Sequence, residues 1–391
     1  MAPAPTRQLL RHAFGHAHQH TMTPSHAAAA AASALAGHMP LMRPGSEPPR
    51  LRADRPWPEQ GRLTAPLQRP SPRIVFLLMS AVAPSATVDQ LAQALGPHPV
   101  LVHHDFSQTP DFTLQAPNAQ FVSDPVRTGW AQFGFVDGIF RGLQHALRQI
   151  DFDYLQLLSP SCLPIKPLAQ FERHISGVHD AHFDAIDLRH DGDARLSVGY
   201  RAWTCEGSLA HRLARRLVHL YYGDSQGRRE QAGVWLRTGR SSSPWARLAG
   251  WPLQAMAQLA LARPVAGQRL ALHYGSVWFG ARRPVIEALV RAYGRAGLRE
   301  HFARMHIAEE FLLPSLLMHL GVRRGPMNHR VQRFDGAHPG LFQTEHLDAL
   351  RQSGAWFARK FPVEPQAAVR QQVLRDLVGM AHGPALSESA A

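Results

Sequence analysis

The chain has 391 residues, 45% of them apolar, enough for one large or two ordinary domains with a substantial core. Its net charge of +13, from 42 basic against 29 acidic residues, points first to anionic partners. Only Lys166 and Lys360 are lysines, however, and the arginines are scattered with no local basic run or recognised motif, which argues against a nucleic-acid partner while leaving room for an anionic substrate.

Residues 1–72 are rich in Pro, Ala, His and Arg and hold no period of 2 or 3.6, so a disordered tail is expected there. A true start at Met39 or Met42 explains that composition equally well. The alanine-rich stretch from Ala27 to Met42 is interrupted by His38 and Pro40, and no stretch reaches the ~20 apolar residues that cross a bilayer. Histidines crowd the preceding region and no leucine-rich centre follows, unlike a signal peptide. A cytoplasmic protein is expected, with membrane contact peripheral at most.

Order begins at Arg73. The continuous apolar run Ile74–Met79 predicts a strand buried on both faces of a parallel sheet. Thr87 then caps a helix carrying Val88, Leu91, Ala92 and Leu95, which ends at Gly96. A second strand, Pro99–His103, leads to His104 and Asp105. Strand, helix, strand is the opening unit of a nucleotide-binding α/β domain, whose ligands sit beyond the carboxyl ends of the strands.

The alternation continues with a short strand at Phe121-Val122, a helix over 130–149, and a strand at Tyr154–Leu158 ending in the turn Ser159-Pro160-Ser161-Cys162. Ala185–Leu188 reads as a fifth strand, and 208–222 as a helix with Arg212, Arg215 and Arg216 on its wet side. The segment 224–264 has little periodicity and reads as an irregular insertion. Strand-like 270–279, helices over 283–296 and 309–320, and a last helix over 365–378 complete the pattern, before a second tail at 379–391. The expected architecture is an α/β domain over 73–378, a mostly parallel sheet with helices on both faces. Cys162 and Cys205 cannot form a disulfide framework, show no zinc spacing, and fit a reducing compartment.

Four motifs follow one another in order. They are Val102-His103-His104-Asp105; Arg127-Thr128-Gly129-Trp130 with the later Leu157–Lys166 turn; Gly275-Ser276-Val277-Trp278-Phe279 with Ala308-Glu309-Glu310-Phe311; and Phe357-Ala358-Arg359-Lys360-Phe361. Together, from about Arg73 to Leu377, they resemble the core-2/I-branching and peptide O-xylosyltransferase family, glycosyltransferase family 14. The resemblance implies a GT-A fold and an inverting enzyme that moves GlcNAc or xylose from a UDP-sugar to a hydroxyl of a glycan or protein. It needs no metal or other cofactor.

It also assigns roles. Glu310 becomes the base that takes the acceptor proton, and Glu309 fills the neighbouring acidic position on the acceptor side. Lys360 and Arg359, with Arg333 upstream, receive the departing diphosphate as fixed cations. Asp105, Arg127 and Trp130 face the nucleoside, while Ser159 and Trp278 face the acceptor. Both lysines of this arginine-rich chain fall inside these motifs, and the two cations are not interchangeable. The chain departs from the family at Cys162, where an Asp is common, and at Ala131 after the tryptophan, which puts substrate identity in question.

Plainer readings stand beside these. An acidic pair at a helix start complements the helix dipole, Asp105 caps a loop, and Trp130 and Trp278 fill the core. Two other functions compete. A metal-dependent transferase would use Asp151 and Asp153 as an Asp-x-Asp, yet that pair precedes its strand and lies at the wrong sheet edge for phosphates. A basic protein that binds an anionic polymer would need no chemistry at all.

Overall fold

The computed structural model describes residues 71–380, except 206, 224, 226, 266–269 and 336–337. The tails expected at 1–72 and 379–391 lie almost wholly outside them. Within the described residues, strand β1 (Ile74–Ser80) is buried along its whole length, and its alternate side chains feed two different cores. Val75, Leu77 and Met79 join Val136, Ile139, Phe140 and Leu143 of the helix Gly134–Gln149. Ile74, Phe76 and Leu78 join Val88 and Leu91 of the helix Ser85–Ala94 on the opposite side. The apolar run has no polar alternation because neither face of the strand meets water.

A seven-stranded sheet is built around β1. β2 (Val100–His104), β3 (Ala119–Phe121) and β4 (Tyr154–Leu158) run parallel to it in the spatial order β3-β2-β1-β4. Beyond β4 lie β11 (Gly280–Arg282), β6 (Ala181–His182) and β12 (Arg324–Gly325), of which only β11 runs against the rest. The sheet is thus mixed but mostly parallel, with helices on both faces, as expected. Close helix-to-sheet contact depends on a small residue: a Cβ on Gly142 would lie 2.5 Å from Leu77 Cδ1.

Smaller sheets bring distant segments together. β13 (His329–Val331) runs parallel to β16 (Phe357–Arg359), which pairs antiparallel with β5 (Leu163–Pro164). β7 (Ile186–Asp187) pairs with β10 (His273–Tyr274). β8 (Arg228–Gln231) with β9 (Val234–Arg237), and β14 (Phe334–Asp335) with β15 (His338–Pro339), form antiparallel pairs.

Four expectations change, the first being the strand read over 270–279, which is only His273–Tyr274. The segment 224–264 is not irregular: after the β8–β9 pair it forms a helix over Pro244–Ala262, with Ser243 accepting from the Trp245 N–H as its cap. Thr87 is not a cap; the helix starts at Ser85, and the Thr87 hydroxyl donates to the Val363 carbonyl. The last helix is divided, α-helical over Ala368–Gln372 and π-helical over Val373–Val378. No helix among the described residues is long and apolar enough to cross a membrane.

Candidate active site

Glu310 opens the helix Glu309–His319 beyond Ile307, a residue at positive φ that turns the chain into the helix. The main chain here is clipped to the Tyr274–Phe279 segment, since the Gly275 N–H donates to the Glu310 carbonyl at 3.0 Å. Gly275 is required by close approach, because a Cβ there would lie 2.5 Å from the Asp184 carbonyl oxygen. That clip brings Tyr274 beside the carboxylate. The Tyr274 hydroxyl donates to Glu310 Oε2 at 2.6 Å, and Arg201 Nη1 stands 3.5 Å from the same oxygen and 3.3 Å from the Tyr274 hydroxyl.

Glu310 Oε1 makes no hydrogen bond among the described residues, and the side chain is 24% exposed. One oxygen is therefore held by the Tyr274 donor with the Arg201 guanidinium close by, while the other is open. Burial pushes the Glu310 carboxyl above its ordinary value, and Arg201, Tyr274 and Arg359 pull against that rise. Burial, together with the charge on Glu310, pushes the Tyr274 phenol well up, so it remains a donor.

Arg201 was not anticipated. It sits on the 3-10 turn Gly199–Ala202, whose approach to the helix Pro244–Ala262 is so close that a Cβ on Gly199 would lie 2.8 Å from Ala257 Cβ. Its carbonyl accepts from the His306 N–H at 3.0 Å, tying the turn to the segment that enters the Glu310 helix. Tyr274 immediately precedes the Gly275–Phe279 motif, a signal that was available in the sequence.

Glu309 turns inward. It is buried, its Oε2 finds no hydrogen-bond partner, and burial together with the charge on Glu310 pushes its carboxyl up to about 8. Its expected place on the acceptor side does not match that burial.

Arg359 and Lys360 lie at the end of the β13–β16 pair. Val331 lies opposite Arg359, and the Gln332 N–H donates to the Arg359 carbonyl at 2.7 Å, so the segment that carries Arg333 runs beside the one that carries Lys360. The Arg359 guanidinium lies 4.5 Å over the Trp278 ring, within electrostatic reach of Glu310. Trp278 is only 4% exposed and has His329 on another side at 6.0 Å, so it supports the cation and offers no open ring face. Lys360 is half-buried with no ion pair among the described residues, and Arg333 is exposed with its guanidinium 5.9 Å over Trp235.

Asp105 follows β2, at the carboxyl end of the parallel strands, but its carboxylate is occupied. It accepts five hydrogen bonds, from the N–H and hydroxyl of Ser107, the Gln108 amide, and the N–H and hydroxyl of Thr128. Burial acts to raise its pKa, yet these donors hold it well below the usual carboxylate range. Asp105 thus anchors the Arg127–Trp130 loop. Arg127 is exposed, and Trp130, 67% exposed, meets His306 edge-on at 5.8 Å. The loop therefore reaches the same segment that Arg201 grips.

Ser159 is buried, its hydroxyl 3.1 Å from Ser161 Oγ and 3.3 Å from Cys162 Sγ. Its turn packs on the cation segment through the Phe361 N–H, which donates to the Ser161 carbonyl at 2.9 Å. Lys166 instead lies 4.8 Å over the Trp356 ring. Asp151 and Asp153 sit at the amino end of β4, both engaged by Arg73, whose N–H donates to Asp153 at 2.9 Å. Among the described residues no group of three or more His, Cys, Asp or Glu is arranged to hold a metal ion. No protein-family model matches the chain, and no curated protein matches it either.

Proposed function

We propose that the chain is an inverting GT-A glycosyltransferase that moves GlcNAc or xylose from a UDP-sugar to a hydroxyl of a glycan or protein. The observation that carries this reading is the Glu310 carboxylate, with Oε2 fixed by Tyr274 and Arg201 and Oε1 open. A base so oriented can take the acceptor proton as the hydroxyl oxygen bonds to the anomeric carbon, while the carbon–phosphate oxygen bond breaks on the opposite face and UDP leaves with the electron pair. Charge that grows on the diphosphate would meet Arg359 and Lys360, cations in place before the reaction starts. The four ordered motifs support the same assignment.

The test is Glu310→Gln, assayed for UDP-sugar binding by thermal shift and for transfer with a panel of acceptors. Binding should persist and transfer should be lost; transfer at the wild-type rate removes Glu310 as base. Turnover in EDTA separates this reading from one that uses Asp151 and Asp153, which Arg73 already engages.

A further inference from the structure

The helices Leu209–Tyr222 and Pro244–Ala262 pack on each other around Tyr200, Ala214, Val218, Tyr222 and Leu253. They cross closely where a Cβ on Gly250 would lie 2.9 Å from Tyr221 Cε2. Each helix turns apolar side chains outward as well as inward. On the first, Leu209, Leu213 and Leu220 recur at helical spacing and are exposed. On the second, Trp245, Leu248, Trp251 and Leu259 do the same, and Trp251 is 82% exposed. Both stripes lie opposite the arcs that enter the core, so the fold does not need them for its own packing. Isolated exposed apolar residues are ordinary, but two tryptophans and five leucines on two adjoining helices are not.

Arginines flank the stripes. Arg212, Arg216 and Arg247 are exposed and form no ion pair among the described residues. Neither helix contains an acidic residue, and the sequence has none from Ala232 to Ile286. Tyr221, Arg247, Gly250 and Trp251 line a shared groove, so the two helices present aromatic, aliphatic and cationic groups together. Tryptophan suits the boundary between water and hydrocarbon, and arginine suits anionic headgroups.

We propose that this helix pair docks on the surface of an anionic lipid bilayer, lying in the headgroup layer without crossing it. The charge pattern disfavours a second copy of the chain as occupant, because a symmetric contact would set Arg212, Arg216 and Arg247 against their own copies with no carboxylate in either helix to offset them. The same pair supports the Arg201 turn, so docking holds the Glu310 site close to the membrane.

The test uses the purified full chain with vesicles of phosphatidylcholine alone or mixed with phosphatidylglycerol, read by co-sedimentation and tryptophan emission, and needs no turnover. The chain should sediment only with the anionic vesicles, with a blue-shifted emission, and added salt should release it. Neutralising Arg212 and Arg216 to Gln should weaken partitioning about thirtyfold, at roughly fivefold per arginine. Trp245→Ser with Trp251→Ser should remove the blue shift, and because the two double variants alter different helices, misfolding of one leaves the other as the test. Lack of sedimentation with anionic vesicles overturns the proposal. So does binding that both variants leave unchanged, binding to polyglutamate as tight as to vesicles, or a solution dimer that the tryptophan changes dissociate.

Discussion

Asp105 and Glu310 are both carboxylates near the carboxyl side of the sheet, and their surroundings are opposites. Asp105 is buried and accepts five hydrogen bonds from three residues of its own chain, which depress its pKa and leave it no free acceptor. Glu310 has one donor at hydrogen-bond distance, one guanidinium at 3.5 Å, an open Oε1 and a raised pKa. A satisfied carboxylate fixes structure; one held at a single oxygen and tuned upward can move a proton. On the proposed function, the comparison separates two residues that look alike within their motifs into a scaffold and a base.

The widest contrast should come from Glu310→Gln. Loss of a general base lowers kcat by about 10² to 10⁴, and KM for the donor should hardly change; steady-state kinetics on both parameters checks it. Arg201→Met comes next. Arg201 gives up a hydrogen bond to the Tyr274 hydroxyl, which contributes about 0.5–1.5 kcal/mol, and a 3.5 Å ion pair with Glu310, so kcat/KM should fall about threefold to thirtyfold. The pH profile gives a second readout. Arg201 lowers the Glu310 pKa, so its removal lets that pKa rise, and because the carboxylate is the active form, the acid limb of the rate profile should move to higher pH. An unmoved limb would separate Arg201 from the base.

The same contrast shows what a sequence can disclose. β1, β2 and β4 were legible because unbroken apolar runs have few uses other than strands buried on both faces, and Glu310, Arg359 and Lys360 because they fall inside motifs. Arg201 was hidden, since nothing distinguishes it from the other arginines until the fold sets the Gly199–Ala202 turn against Tyr274 and Glu310. The helix Pro244–Ala262 was hidden for a different reason. Trp245, Leu248 and Trp251 occupy its wet side, where periodicity looks for polar residues, and Pro252 within it reads as a breaker. Asp105 was correctly placed after its strand, but only the structure reveals how fully Ser107, Gln108 and Thr128 use its acceptors.

Asp105→Ala sharpens the comparison from the scaffold side. The half-buried Thr128 donors and the exposed Ser107 donors would lose their acceptor, at a cost of about 0.5–1.5 kcal/mol for each hydrogen bond that water does not replace. The variant should melt earlier, and its loosened Arg127–Trp130 loop should raise the donor KM with a smaller change in kcat, the reverse of the Glu310→Gln pattern. A kcat loss matching that of Glu310→Gln would dissolve the distinction between scaffold and base.

The smallest effect on turnover should come from Glu309→Gln, since Glu309 is buried and its Oε2 has no hydrogen-bond partner. Its effect should appear in stability. With its carboxyl pushed up to about 8, Glu309 stays protonated in the folded chain at pH values where the unfolded chain, titrating near 4.5, has already released the proton. Between those values the folded state binds more protons, so stability falls as pH rises, being fully present below the unfolded pKa and lost through the folded one. Gln cannot ionise in either state. The variant should therefore lose that slope and unfold at higher denaturant than the wild type at pH 7, and equal slopes in paired denaturant titrations at pH 5 and pH 8 would show that Glu309 is ionised in the folded chain after all.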